Sequence, residues 1–249
     1  FAMNLLEQAL KGLSGRTFKL FLKRHTNNSF KAILGGTFVT AILQSSSVVS
    51  LITLAFVGAG IINMKNALGI IFGSNLGTTF TGWIVALIGF KLNIESFALP
   101  MIGIGGVLMV MFSKLKKMET IGQLLISLGF LFLGLEFMKT SVAYLANNFD
   151  LTIFAQYRPW FFLLVGFVFT TIVQSSSAAM VIILSALDSG VIPFSSAAAM
   201  VIGSDLGTTI TALIGGLPGV PAKKRVALGH FLFNLITDLL AFALMGWLI

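Results

Sequence analysis

The chain has 249 residues, 57% of them hydrophobic and only 10% charged, whereas soluble domains carry about 25% charged residues; an ordinary soluble enzyme is excluded. It contains no cysteine, which excludes disulfides and thiolate metal sites. The net charge of +8 comes in short basic clusters between apolar stretches, the pattern of membrane-protein loops and not of a nucleic-acid-binding face, so no nucleic-acid partner is expected.

In chain order, Leu5 to Arg24 mixes apolar residues with Lys11, Arg16, Lys19, Lys23 and Arg24. This pattern predicts an amphipathic helix lying at the membrane interface over 1–29. A helix needs roughly 20 apolar residues to cross a bilayer core of about 30 Å. Stretches free of Asp, Glu, Lys and Arg follow at 32–64, 66–90, 96–113, 120–135, 159–187 and, broken only by Asp205, 189–222. The last, 226–249, contains His230 and Asp238. As one helix, 32–64 would be about 50 Å long at 1.5 Å per residue. A hairpin that enters and leaves on one side, with the polar Gln44-Ser45-Ser46-Ser47 near its turn, fits better. The stretch 159–187, with Gln174-Ser175-Ser176-Ser177, reads the same way.

These tetrapeptides belong to an internal repeat. Gly73-Ser74-Asn75-Leu76-Gly77-Thr78-Thr79 recurs as Gly203-Ser204-Asp205-Leu206-Gly207-Thr208-Thr209 at the same offset of 130 residues, and Thr81 recurs as Thr211. Most matches are polar residues or Gly, so apolar composition does not explain them. With hairpins, three crossings separate the copies and the repeats are inverted. That topology leaves Lys91, Lys139 and Arg158 outside and the other basic residues, including the Lys114–Lys117 cluster, inside.

The expected fold is therefore an all-α membrane protein of two inverted repeats, each with a re-entrant helical hairpin and a broken transmembrane helix. The first repeat and scaffold helices occupy 30–138, a connecting loop 139–158, and the second repeat 159–249, all in one transmembrane domain. The expected location is the cell's inner membrane, as a multi-pass protein embedded in the lipid bilayer.

Polar groups at membrane depth are costly unless satisfied or lining a cavity. Gln44, Ser45, Ser46, Ser47 and Gln174, Ser175, Ser176, Ser177 offer hydroxyls, amides and free N–H groups at helix ends, which hold and release a tetrahedral oxyanion without a fixed cation. The bland alternative is that such serines bond their own backbone or join helices; duplication at matched positions favours function. In the second motif, Ser74, Asn75, Thr78, Thr79, Thr81 and Ser204, Asp205, Thr208, Thr209, Thr211 crowd oxygens into a stretch that reads as an unwound helix break. Such oxygens suit Na⁺, a hard cation; the competing reading is a small-xxx-small helix contact. No transition-metal site and no organic cofactor are expected. Asp205 within the membrane is a functional residue by default. Asp238, with Asn234 four residues before it on the same face, is either a second ion-pathway residue or a structural contact. His25 and His230 read as interfacial. The serines have no base nearby in sequence, so no enzyme activity is expected.

The duplicated Gln-Ser-Ser-Ser, each followed by Gly-Ser-Asn/Asp-Leu-Gly-Thr-Thr, resembles the type II sodium-phosphate cotransporters from about Phe30 to the C-terminus. The resemblance implies a symporter that couples Na⁺ entry to inorganic phosphate uptake by alternating access. It implies that Ser45–Ser47 and Ser175–Ser177 surround phosphate. Ser204, Thr208 and Thr211, with Ser74, Thr78 and Thr81 as their equivalents, would hold Na⁺. Family members carry Asn where Asp205 stands, and animal members have a cysteine-bearing loop that the short 140–158 segment lacks, which looks bacterial or archaeal. The readings set against this are a Na⁺-coupled transporter of another oxyanion, such as sulfate or a dicarboxylate, and an ion channel. A homodimer is expected from the size and apolar character of the chain.

Overall fold

The computed structural model describes residues 28–89, 95–148 and 157–249, with a few isolated positions before residue 28. The interfacial helix expected over 1–29 lies largely outside the described residues. The helices are α1 (Ser29–Leu43), α2 (Ser46–Gly58), α3 (Met64–Ile84, continued by a π turn, Val85–Gly89), α4 (Glu95–Met111), α5 (Lys116–Asn148), α6 (Pro159–Val173), α7 (Ser176–Asp188), α8 (Phe194–Gly216) and α9 (Pro221–Leu248). No strand occurs among the described residues. Among the described residues, four segments are long and apolar enough to cross a membrane: Met64–Leu87, Lys116–Gly134, Phe194–Gly216 and Pro221–Trp247. Helix α5 continues to Asn148, so part of the loop expected over 139–158 is helical.

The repeat is carried by the backbone. Helices α1 and α6, and α2 and α7, begin and end 130 residues apart. Between each pair the chain turns through a left-handed residue, Gln44 at φ 53° and Gln174 at φ 54°, a region that few non-glycine residues adopt. Each Gln backbone N–H closes the preceding helix on a threonine carbonyl, Thr40 or Thr170, at 2.7 Å. The next turn uses Gly60 at φ +68° and Gly190 at φ +73°, where the missing Cβ removes the left-handed penalty.

Helices α3 and α8 run unbroken through the motifs expected to be unwound. The reason is packing. A Cβ on Gly73 would lie 1.9 Å from the Ile33 carbonyl oxygen, and one on Gly36 2.0 Å from that of Ile70; Gly203 on Leu163 and Gly166 on Met200 repeat these distances in the second copy. The glycines are backbone-contact sites, as in other close membrane helix pairs. Beside them Thr40 donates to the Ser74 hydroxyl at 2.9 Å and Thr170 to that of Ser204 at 2.7 Å. The real interruptions fall at the two glutamines.

Helix α9 lies across both copies. Its first turns bury Val226 and Ala227 among Leu54, Val57, Ala67 and Ile71 of the first copy and Ala212 of the second. Helix α4 packs on α5 through Gly105 and Gly122, where a Cβ on either would lie 2.6 Å from the other's carbonyl oxygen.

Candidate functional site

The break after α1 is buried. Gln44 is 9% exposed, Ser45 5% and Ser46 8%, and Ser47 is half-buried. The Gln44 side-chain nitrogen donates to the Ala41 carbonyl of its own helix. Its oxygen accepts the Thr81 hydroxyl at 2.8 Å. Ser45 occupies the N-cap of α2 but makes no side-chain capping bond. The first N–H groups of a helix have no partner within it, so α2 presents donors and partial positive charge to a buried, serine-lined end.

The break after α6 meets the first one. Ser177 donates to the Gln44 carbonyl at 3.1 Å, and its hydroxyl lies 3.3 Å from that of Thr81. Ser176 and Ser177 are buried, Ser175 is half-buried, and Gln174 is exposed. Ser175 caps α7 by accepting the Ala178 N–H at 3.3 Å. The two tetrapeptides, 130 residues apart in sequence, thus share one hydrogen-bonded group, and Thr81, expected among the cation ligands, belongs to it.

The hydroxyls of Thr78, Thr79, Thr208 and Thr209 in the second motif are engaged along their own helices. Thr78 donates to the Ser74 carbonyl, Thr79 to that of Leu76, Thr208 to those of Ser204 and Asp205, and Thr209 to that of Leu206. Thr211 is half-buried. An unbroken helix keeps its carbonyls in the backbone ladder, so the oxygens with coordinating freedom are those of side chains.

Asn234 of α9 joins the matched positions 75 and 205. Its carbonyl oxygen accepts the Asn75 amide at 2.6 Å, and its nitrogen donates to the Asp205 carboxylate at 3.1 Å. The sequence showed Asn234 only as a polar neighbour of Asp238; its bridging role needs the tertiary fold. The α9 face Asn234–Asp238 is extended by His230, which is 3% exposed. This corrects the interfacial reading of His230: it lies on the face of α9 that packs inward with Val226 and Ala227, while Pro221, Lys224, Arg225 and Leu228 of the same turns are exposed. Neither His230 ring nitrogen nor Oδ2 of Asp238 has a hydrogen-bond partner among the described residues. His25 lies outside the described residues.

The family model for the Na⁺/Pi-cotransporter matches residues 1–140 and 151–247. The chain is 31% identical over 237 residues to the uncharacterized protein YqeW of Bacillus subtilis (strain 168), covering 94% of this chain and 75% of that protein. It is 30% identical over 229 residues to YjbB of Escherichia coli (strain K12), which is named for inorganic phosphate export; the match spans 91% of this chain and 41% of that protein. A stretch of 60 residues is 42% identical to sodium-dependent phosphate transport protein 2C of Rattus norvegicus, 24% of this chain and 10% of that protein. No solved structure matches.

Proposed function

The chain belongs to the Na⁺/Pi-cotransporter family, and on that premise we propose that it is a secondary active transporter that couples Na⁺ entry to inorganic phosphate uptake. The observation that carries this reading is the buried start of α2, uncapped by Ser45 and facing Ser177 across the Gln44 carbonyl. Helix N–H groups and hydroxyls from both copies converge there, a donor set for an oxyanion. Hydrogen phosphate entering against an inside-negative potential costs about 2.3 kcal/mol per charge per 100 mV, and co-entering Na⁺ offsets that cost. For Na⁺ the reading draws on Asp205, the one carboxylate in the duplicated motif, with Asn75 and Thr81 beside the two networks. Ser74, Ser204, Thr78, Thr79, Thr208, Thr209 and Thr211 stand behind them, shaping the helices.

Helices α1, α2, α6 and α7 have 13 to 15 residues, about 20 to 22 Å at 1.5 Å per residue, short of the bilayer core. This length supports re-entrant hairpins, and hairpins support inverted copies. Alternating access then exchanges the environments of the two breaks. A homodimer in the inner membrane completes the proposal.

The test is labelled phosphate uptake into proteoliposomes under an inward Na⁺ gradient against an equal K⁺ gradient. Uptake with Na⁺ alone is expected, together with a phosphate KM raised about tenfold or more by Ser177→Ala. Efflux measured in the same vesicles addresses direction, since YjbB is named for export. Competition by sulfate or a dicarboxylate as effective as by phosphate would replace the substrate, and uptake equal in K⁺ would sink the coupling.

A further inference from the structure

Helix α9 carries His230, Asn234 and Asp238 four residues apart, so they stack one turn above another on a single face. All three are buried, at 3%, 0% and 9% exposure. Asn234 is held by Asn75 and Asp205. Asp238 lines a cavity of about 20 Å³ whose other walls are apolar: Leu163 of α6, Ile202, Gly203 and Leu206 of α8, and Leu235 and Leu239 of α9. Its Oδ2 is shut off from solvent and has no hydrogen-bond partner among the described residues.

A bare carboxylate in such surroundings is the costliest arrangement. A Na⁺ ion gathers several oxygens, and this cavity offers only those of Asp238. Helices α6, α8 and α9 are unbroken, so their carbonyls stay in the helix ladder. The cavity has room for about one water, but a buried water needs two to four polar partners and finds a single one. A proton needs no further ligand: it removes the charge and leaves a carboxylic acid. The charged side chains on the helices around α9 are few. Helix α8 brings Asp205 alone, α2 and α6 bring none, α3 brings Lys65 and α7 brings Asp188. Lys65 is exposed and precedes Asn75 by ten residues, about 15 Å along α3. Asp188 is exposed at the end of α7. On α9 itself, His230 lies about 12 Å from Asp238 along the axis, and Lys223, Lys224 and Arg225 about 20 Å or more.

We propose that Asp238 is a proton-binding site, built by the cavity between α6, α8 and α9 and linked through Asn234 to Asp205. The link is electrostatic. Asp238 stands one turn, about 6 Å, beyond the amide that holds the Asp205 carboxylate, and two negative charges so placed in apolar surroundings repel. A cation on Asp205 cancels that repulsion and lets the proton leave, so the two ions displace each other. The proton site stands on the cavity alone; its link to Na⁺ rests on the cation reading of Asp205 above.

Infrared difference spectroscopy of the full chain in an alkyl maltoside, which has no ester carbonyl, reads the C=O stretch of a protonated carboxyl group directly. Exposed carboxylates are ionised at neutral pH, so the parent protein should show this band there and Asp238→Asn should lose it. Asp238→Glu should keep the band at a shifted position, and it carries the test if the Asn variant does not assemble. Adding Na⁺ should weaken the parent band about twofold or more, an equal addition of K⁺ should not, and in Asp205→Asn the band should ignore both. A band absent from the parent, or untouched by either change at Asp238, overturns the proton site. A parent band indifferent to Na⁺ overturns the link to Asp205. The band is read without phosphate or transport, so this inference and the uptake reading fail separately.

Discussion

The two glutamine breaks have the same backbone and opposite surroundings. Gln44 and Gln174 share a left-handed φ within a degree, yet Gln44 is 9% exposed and bonded to Thr81, while Gln174 is exposed. The motif therefore sets the turn, and the neighbouring helices set its access. The same contrast runs through the repeat: α9 covers the first copy, and the equivalent surface of the second is an open groove.

The strongest way to break this comparison is at the glycines, where the copies are alike. Gly73→Ala and Gly203→Ala each drive a Cβ to 1.9 Å from a backbone carbonyl oxygen, so both should cost about 4 kcal/mol or more. Thermal unfolding in detergent checks this, with Gly103→Ala, which meets nothing within 4 Å, as the tolerated control. A mild effect in one copy alone would show that the helix pairs are not equivalent. The glutamines should differ instead. Gln44→Ala removes the acceptor of a buried hydroxyl and should cost about 1–3 kcal/mol, whereas Gln174→Ala should stay within about 0.5 kcal/mol; equal melting temperatures would refute the environmental account.

Asp205→Asn makes the two motifs identical. Asn keeps a carbonyl for the Asn234 amide, so the fold should persist. The apparent Na⁺ affinity of phosphate uptake should fall about tenfold, near 1.4 kcal/mol. A Na⁺ titration of uptake that matches the parent protein would remove Asp205 from the cation site. A modest and equal effect should come from Thr40→Val and Thr170→Val, each losing one buried hydroxyl contact. About 1 kcal/mol is expected for both, read from paired melting curves, and unequal losses would sharpen the asymmetry to the helix pairs themselves.

Much of this was legible in the residues. The offset of 130 and the interruptions at the polar tetrapeptides follow from pattern alone, because like local sequence imposes like turns. The unwinding expected at Gly-Ser-Asn/Asp-Leu-Gly-Thr-Thr was misplaced. Glycines four apart serve a break and a close contact equally well, and only the carbonyls of Ile33 and Leu163 facing Gly73 and Gly203 distinguish them. His230 was misread for a related reason: a polar residue after a basic cluster reads as interfacial until the inward-packing face of α9 is known.

By itself, the sequence determined the all-helical membrane character, the duplication and the identity of the two breaks, since hydropathy, period and local turn chemistry are short-range properties. Tertiary structure alone decided that Ser177 meets Gln44, that Asn234 links Asn75 to Asp205, and that one copy is covered while the other is open. Those outcomes depend on which helix packs against which, and residues 96 to 159 positions apart in the chain carry no local signal of their meeting.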